Sequence, residues 1–217
     1  MPYFLEQILY KIIYIAPLLI VSITVHEYAH AKTAQVLGDP TAAVAGRVSL
    51  NPMRHLDPIG SLCMLLLGFG WGKPVPVAVL NFKNPKVGSA LVSLAGPLSN
   101  FVMACIWGLL YGALYTIIPL GSYLSALLSM GVTLNCVLCV FNLLPIMPLD
   151  GSKILSLILP DRIYYKFLRH ERTFFIVLMV LLALGILSPV INVLADGLIW
   201  VIEKTFVALG LLIAGLF

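Results

Sequence analysis

Long uncharged runs alternate with short polar punctuation along this chain, and the spacing predicts a bundle of membrane-length helices. The stretch Ile12–Val25 holds no charged residue, and a bilayer crossing needs about 20 predominantly apolar residues. A first helix is expected from about Phe4 to Leu37, kinked at Pro17 and stopped by Gly38-Asp39-Pro40. Residues 41–58 are polar and rich in turn signals. Ile59–Trp71 is apolar but too short to cross, so a re-entrant or interfacial segment is expected. In Lys73–Leu80, Pro74 and Pro76 alternate with valines, which reads as a short edge strand or hairpin. A second spanning helix covers roughly Gly88–Ile118, interrupted at Gly96–Asn100, and a third covers Tyr123–Leu144. A charged link, Pro160–Arg172, precedes a fourth apolar helix, Thr173–Leu187. In Pro189–Phe217 the residues Asp196, Glu203 and Lys204 break the apolar pattern, so it either spans or lies partly at the interface. The expected architecture is one all-α polytopic membrane domain over 1–217, with about 4–6 transmembrane helices, a re-entrant segment and a short strand or hairpin near the site. Its core is about 4–155, followed by C-terminal helices at 173–217.

Composition supports this pattern. Hydrophobic residues make up 61% of the chain, charged residues 10%, and mean hydropathy is +1.05, whereas soluble domains carry about 25% charged residues. In such a chain the net charge of +4 gives no reason to expect nucleic acid as a partner; the bilayer is the expected one. The distribution of cations is more informative. Lys32, then Arg47, Arg54, Lys73, Lys83 and Lys86, then Lys153, Arg162, Lys166, Arg169 and Arg172 cluster around two connections, while Pro119–Ser122 has none. The positive-inside rule then places both basic regions in the cytoplasm and the N-terminus outside, in a multi-pass protein of the cell membrane. The apolar N-terminus resembles a secretory signal, but no small-residue cleavage site follows it. A retained signal-anchor helix is expected. Cys136 and Cys139 form a C-x-x-C in apolar helical surroundings, where packing is the expected role.

The chemistry sits at His26-Glu27-Tyr28-Ala29-His30. Four residues apart on a helix, the two imidazoles share a face. Two histidines at that spacing can hold one zinc, and the glutamate beside the first can take a proton from a water activated there. Ionisable groups in an apolar span are costly and by default mark function. A catalytic zinc needs a third protein ligand, drawn here from His55, His170, the glutamates and the aspartates. The first and third helices run in the same direction, so Asp150, just beyond the third, arrives at the level of the two histidines. Asp150-Gly151 alone would read as a turn pair; with the histidine motif, ligation is the preferred reading.

HEYAH, Ala95-Gly96-Pro97 with Asn100, and the N-x-x-P-x-x-x-L-D-G pattern at 142–151 together resemble the site-2 protease family of intramembrane metalloproteases. Gly38-Asp39-Pro40-Thr41-Ala42, Gly46-Arg47, Leu50-Asn51-Pro52 and His55-Leu56-Asp57-Pro58-Ile59-Gly60 resemble its compact prokaryotic branch, which lacks PDZ and CBS modules. The resemblance implies that His26, His30 and Asp150 bind one zinc per chain, that Glu27 is the catalytic base, and that Asn142 lies at the substrate-facing site. Asn142 stands one turn before Pro145; it can donate to a substrate backbone or developing oxyanion, or else bond between helices. The implied activity is hydrolysis of peptide bonds within or beside transmembrane segments, with a transmembrane protein or membrane peptide as substrate and the site toward the cytoplasm. Such proteolysis serves regulation or clears membrane-peptide remnants. Because a helical substrate hides its carbonyls, it must be held unwound, and strand addition to Lys73–Leu80 would do so. His55 and Asp57 are either a pair behind the site, a gate, or loop structure, and His170 is a surface residue. Two other readings use the same residues: a catalytically silent membrane binding protein, and a metal or proton transporter with His26, His30 and Asp150 as a transit site. An intact Glu27 favours hydrolysis over both.

Overall fold

The computed structural model describes residues 9–67, 71–117, 121–160, 162–164 and 169–215. The chain is an all-α polytopic membrane protein. Among the described residues four helical runs, Lys11–Val36, Pro85–Tyr115, Tyr123–Leu143 and Ser188–Ala214, are long and apolar enough to cross a bilayer.

Helix α1 (Ala16–Val36) follows a π-helical turn, Lys11–Ile15. Pro17 stands directly after that turn, where the wider π-helical register accommodates a residue with no N–H to give. The helix ends in a Schellman motif: the Asp39 N–H reaches the Ala34 carbonyl at 2.9 Å, and Gly38 takes φ +104°. The polar stretch then forms α2 (Thr41–Val44) and a 3₁₀ turn at Pro52–Arg54. The short apolar segment is α3 (Pro58–Leu67); ten residues at 1.5 Å rise make about 15 Å, half a bilayer. The Asp57 carboxylate accepts the Gly60 N–H at 2.8 Å near its start.

No strand or hairpin forms at 73–80 among the described residues. Leu56 and Gly72 make an isolated antiparallel bridge, and a 3₁₀ turn occupies Val79–Asn81. The physical reason is in the sequence: Pro74 and Pro76 have no N–H to give to a ladder.

Helix α4 (Pro85–Ile117) is the centre of the bundle and runs unbroken through Pro97. The interruption expected at Gly96–Asn100 is absent because tightly packed neighbours sustain a helix across one missing hydrogen bond. Helices α5 (Ser122–Leu143) and α6 (Asp150–Leu155) pack against it. The fourth apolar stretch is the thirteen-residue α7 (Glu171–Ala183), ended by Gly185 at φ +68°. It falls short of a span. The crossing-length run lies instead in the segment of ambiguous pattern, as α8 (Ser188–Ile202), a π-helical turn Glu203–Val207, and α9 (Ala208–Ala214). Gly108 and Gly112 explain its seating. At these glycines a Cβ would run into Ile202 and the Val207 backbone, and at Gly210 into the Leu109 carbonyl, the close backbone approach that small residues permit between membrane helices.

Candidate metal centre and active site

His26 and His30 lie on the buried face of α1, their rings edge-on with centroids 4.5 Å apart. Asp150 opens α6, directly after the chain leaves α5. Three atoms converge there. His26 Nε2 and His30 Nε2 are 3.0 Å apart, and the Asp150 Oδ2 lies 3.3 Å from the first and 3.1 Å from the second. Ligands held about 2.0–2.1 Å from a tetrahedral zinc stand about 3.3 Å from one another, so this triangle has the size of one face of that tetrahedron. The donor set fits a metal ion, and it is the one group of three or more His, Cys, Asp or Glu able to do so among the described residues.

The ring nitrogens turned away from this point decide what the facing ones can do. His30 Nδ1 lies 2.7 Å from the Val92 carbonyl, which can only accept. Nδ1 therefore carries a proton, and the tautomer this selects is the one that presents a lone pair at Nε2. His26 Nδ1 lies 2.6 Å from the Asn100 Oδ1. The Asn100 amide nitrogen donates to the Asn135 Oδ1 at 3.2 Å, and the Asn135 amide donates to the Gly131 carbonyl at 2.9 Å. That chain orients the Asn100 oxygen toward His26 and sets the same tautomer. Asn100 and Asn135 are 1% and 0% exposed, so neither has water as an alternative partner.

Two glycines make room for this arrangement. A Cβ on Gly96 would collide with both imidazoles, and one on Gly151 would collide with the Leu143 and Leu144 carbonyls. The Asp150-Gly151 pair is thus a close helix-to-helix approach that delivers the carboxylate. It is not a turn.

A cavity of about 260 Å³ opens beside the three ligand atoms, and Glu27, Asn142, Lys153, Trp71, Val75 and Val77 are among its lining residues. Asn142 lies at this cavity, with one N–H of its amide bonded within α5 to the Leu138 carbonyl at 3.0 Å. Trp71 stands in the wall with its ring edge-on to Phe175 of α7. His170 is exposed at the start of α7.

The chain matches known proteins along most of its length. It is 39% identical over 202 residues to the "Putative zinc metalloprotease YwhC" of Bacillus subtilis (strain 168), which covers 89% of this chain and 92% of that protein. The chain belongs to peptidase family M50, the site-2 protease family. The family model for Peptidase family M50 matches residues 117–187, which include Asn142 and Asp150 but not the histidine pair. The "Putative zinc metalloprotease Rip2" of Mycobacterium tuberculosis (strain ATCC 25618 / H37Rv) is 36% identical over 136 residues, 61% of this chain and 52% of that protein. The "Zinc metalloprotease MJ0392" of Methanocaldococcus jannaschii is 28% identical over 193 residues, 89% of this chain and 47% of that protein. No solved structure matches.

In this M50 chain two buried charges near the centre escaped the sequence reading. Arg47, counted there among the surface cations, is 5% exposed and lies 3.9 Å from the Glu27 carboxylate. Burial pulls its guanidinium pKa down, and the Glu27 charge pushes it back. Asp39 is fully buried. Burial would raise its pKa, but hydrogen bonds from the Thr41 hydroxyl, the Asn81 amide and the Ala78 and Thr41 N–H groups outweigh this and hold the carboxyl below its usual range. The signal was available in part, since Gly38-Asp39-Pro40 and Gly46-Arg47 both stood out as motifs. Nothing in a single sequence marks one arginine of a basic loop as the buried one. Asn135 carried no motif at all.

Proposed function

We propose that this chain is an intramembrane zinc endopeptidase that cleaves peptide bonds within or beside transmembrane segments, with one zinc held by His26 Nε2, His30 Nε2 and Asp150. The observation that carries the reading is the 3.0–3.3 Å triangle of donor atoms, with both Nδ1 positions occupied by acceptors. When bound, zinc supplies a Lewis acid that lowers the pKa of a water toward ~7 and polarises the scissile carbonyl. Glu27 is next to His26 and lines the same cavity, so its carboxylate accepts the proton from the attacking water and returns it to the leaving amine. Asn142 turns toward the cavity and donates to the substrate backbone or the developing oxyanion. Trp71, Val75 and Val77 form an irregular wall along which an unwound substrate lies, and Phe175, Leu178 and Met179 of α7 line the same cavity. The exposed cations Arg54, Lys73 and Lys83 lie in the connections between α2 and α4, and Lys153 is exposed on the short α6, which favours a cytoplasmic orientation of the site in the cell membrane.

Substitution Glu27→Gln tests this, with zinc content and cleavage of a model transmembrane substrate measured together. The expected result is retained zinc and lost cleavage. Wild-type protein that binds no zinc, or a Glu27→Gln variant that cleaves normally, would overturn the reading. A transit site for metal or protons would need no glutamate at this offset, and Glu27→Gln would leave transport intact.

A further inference from the structure

A guanidinium buried as deeply as that of Arg47 is costly unless its donors are used. Its Nη1 donates to the Pro74 carbonyl at 2.8 Å and its Nη2 to the Lys73 carbonyl. The same Nη2 lies 3.5 Å from His55 Nδ1 and 3.9 Å from the Glu27 Oε2. His55 is fully buried and is itself fixed, its Nε2 donating to the Ser49 carbonyl at 2.6 Å, while its own carbonyl accepts the Lys73 N–H at 2.8 Å. At the far end of the same segment, Asp39 accepts the Ala78 N–H at 2.8 Å and the Asn81 amide at 2.7 Å. One cation and one anion from the 38–47 connection thus pin residues 73–78 at both ends.

The pinned segment has an unusual backbone. Pro74 and Pro76 contribute no N–H, so its interior donors are Val75 and Val77. Both residues line the cavity that Glu27 lines, and neither N–H has a backbone partner among the described residues. Gly72, at the head of the segment, passes so near the base that a Cβ there would stand 3.5 Å from the Glu27 Oε1.

We propose that Arg47 is a positioning residue, which holds the wall 73–78 and the Glu27 carboxylate in one register so that a peptide lying along Val75–Val77 meets the base. The proposal rests on the peptidase reading given above. Arginine suits the role because its planar fork bonds two carbonyls while its charge stands 3.9 Å from the Glu27 carboxylate, an arrangement the single ammonium of lysine does not reproduce. His55 acts through Arg47 by filling the space behind it.

The test uses the full-length protein with a model transmembrane substrate, comparing wild type with Arg47→Ala, Arg47→Lys and Glu27→Gln. Zinc content, kcat and KM are read separately, and Arg47→Ala is assayed again with millimolar guanidinium ion. The expected result is unchanged zinc in both Arg47 variants and a fall in kcat of about 10²-fold, the scale of an ångström-sized misplacement, with KM altered far less. Guanidinium should restore at least part of the Arg47→Ala rate, and methylammonium should not. Wild-type kcat in either Arg47 variant would overturn the proposal, as would joint loss of zinc and cleavage without rescue, which marks a purely structural cation. Where Arg47→Ala fails to fold, Arg47→Lys decides by the same kcat criterion. Failure of the peptidase reading is distinguishable, because it appears in wild-type zinc content and in Glu27→Gln.

Discussion

Two groups of buried histidines lie near each other in this molecule and differ in what their rings leave free. His26 and His30 each spend Nδ1 on a fixed acceptor, Asn100 Oδ1 and the Val92 carbonyl, and point Nε2 at a shared spot with Asp150. His55 is more deeply buried than either, yet its Nε2 is bonded to the Ser49 carbonyl and its Nδ1 faces Arg47. Burial and polar surroundings are therefore poor markers of a ligand. The useful marker is a convergent lone pair whose partner nitrogen is already held. Asp39 and Asp150 repeat the contrast: Asp39 accepts four hydrogen bonds from its own neighbourhood, whereas Asp150 turns its carboxylate to the two imidazoles.

The contrast can be broken by substitution, and the largest effect belongs to the three proposed ligands. Asp150→Ala should take bound zinc from about one per chain to near zero, because two histidines alone leave a catalytic site one ligand short; metal analysis of purified protein checks this. Next comes Gly96→Ala, whose methyl group displaces both imidazoles. Its cleavage rate should fall about 10²-fold or more, read in the same substrate assay. Removing the partner behind a ligand should cost less: Asn100→Ala is expected to weaken zinc binding about 10–100-fold, measured by competition with a chelator. His55→Ala should leave zinc in place while lowering stability by about 1–3 kcal/mol, the cost of orphaned buried partners, visible as an earlier thermal unfolding. If His55→Ala instead loses zinc with its fold intact, the contrast between the two groups fails.

The smallest effect concerns pH. The Asp39 carboxyl sits below its usual range in the folded protein, so its contribution to stability is complete above the ordinary aspartate pKa of about 3.9 and is lost as pH falls through the folded value. Asp39→Asn should remove that acid-limb dependence without moving the neutral-pH limb. Unfolding followed between about pH 2 and 6 would show it.

The helices and the first half of the site were legible because both depend on short-range periodicity. Three of the crossing-length runs, the stop at Gly38, and the shared face of His26 and His30 follow from local pattern alone. At 73–80 the β-branched valines favour a strand, but the alternate prolines cannot donate and no ladder forms among the described residues. The span in 188–214 was left open because Asp196, Glu203 and Lys204 break its pattern, and its seating depends on glycines of α4 almost a hundred residues earlier. Asp150 could be matched to the histidines by counting crossings, since parallel helices bring their ends to one level.

Residue type and spacing by themselves determined most of the apolar spans and the paired imidazoles with an adjacent carboxylate. Only the tertiary structure decided which ring nitrogens face the centre, that Asn100 and Asn135 orient one of them, and that Arg47 is buried beside Glu27 instead of lying on the surface. The physical reason is range. Helical periodicity acts over four residues, whereas the desolvation and hydrogen bonding that fix a tautomer or hold a buried charge depend on partners brought together from distant parts of the chain.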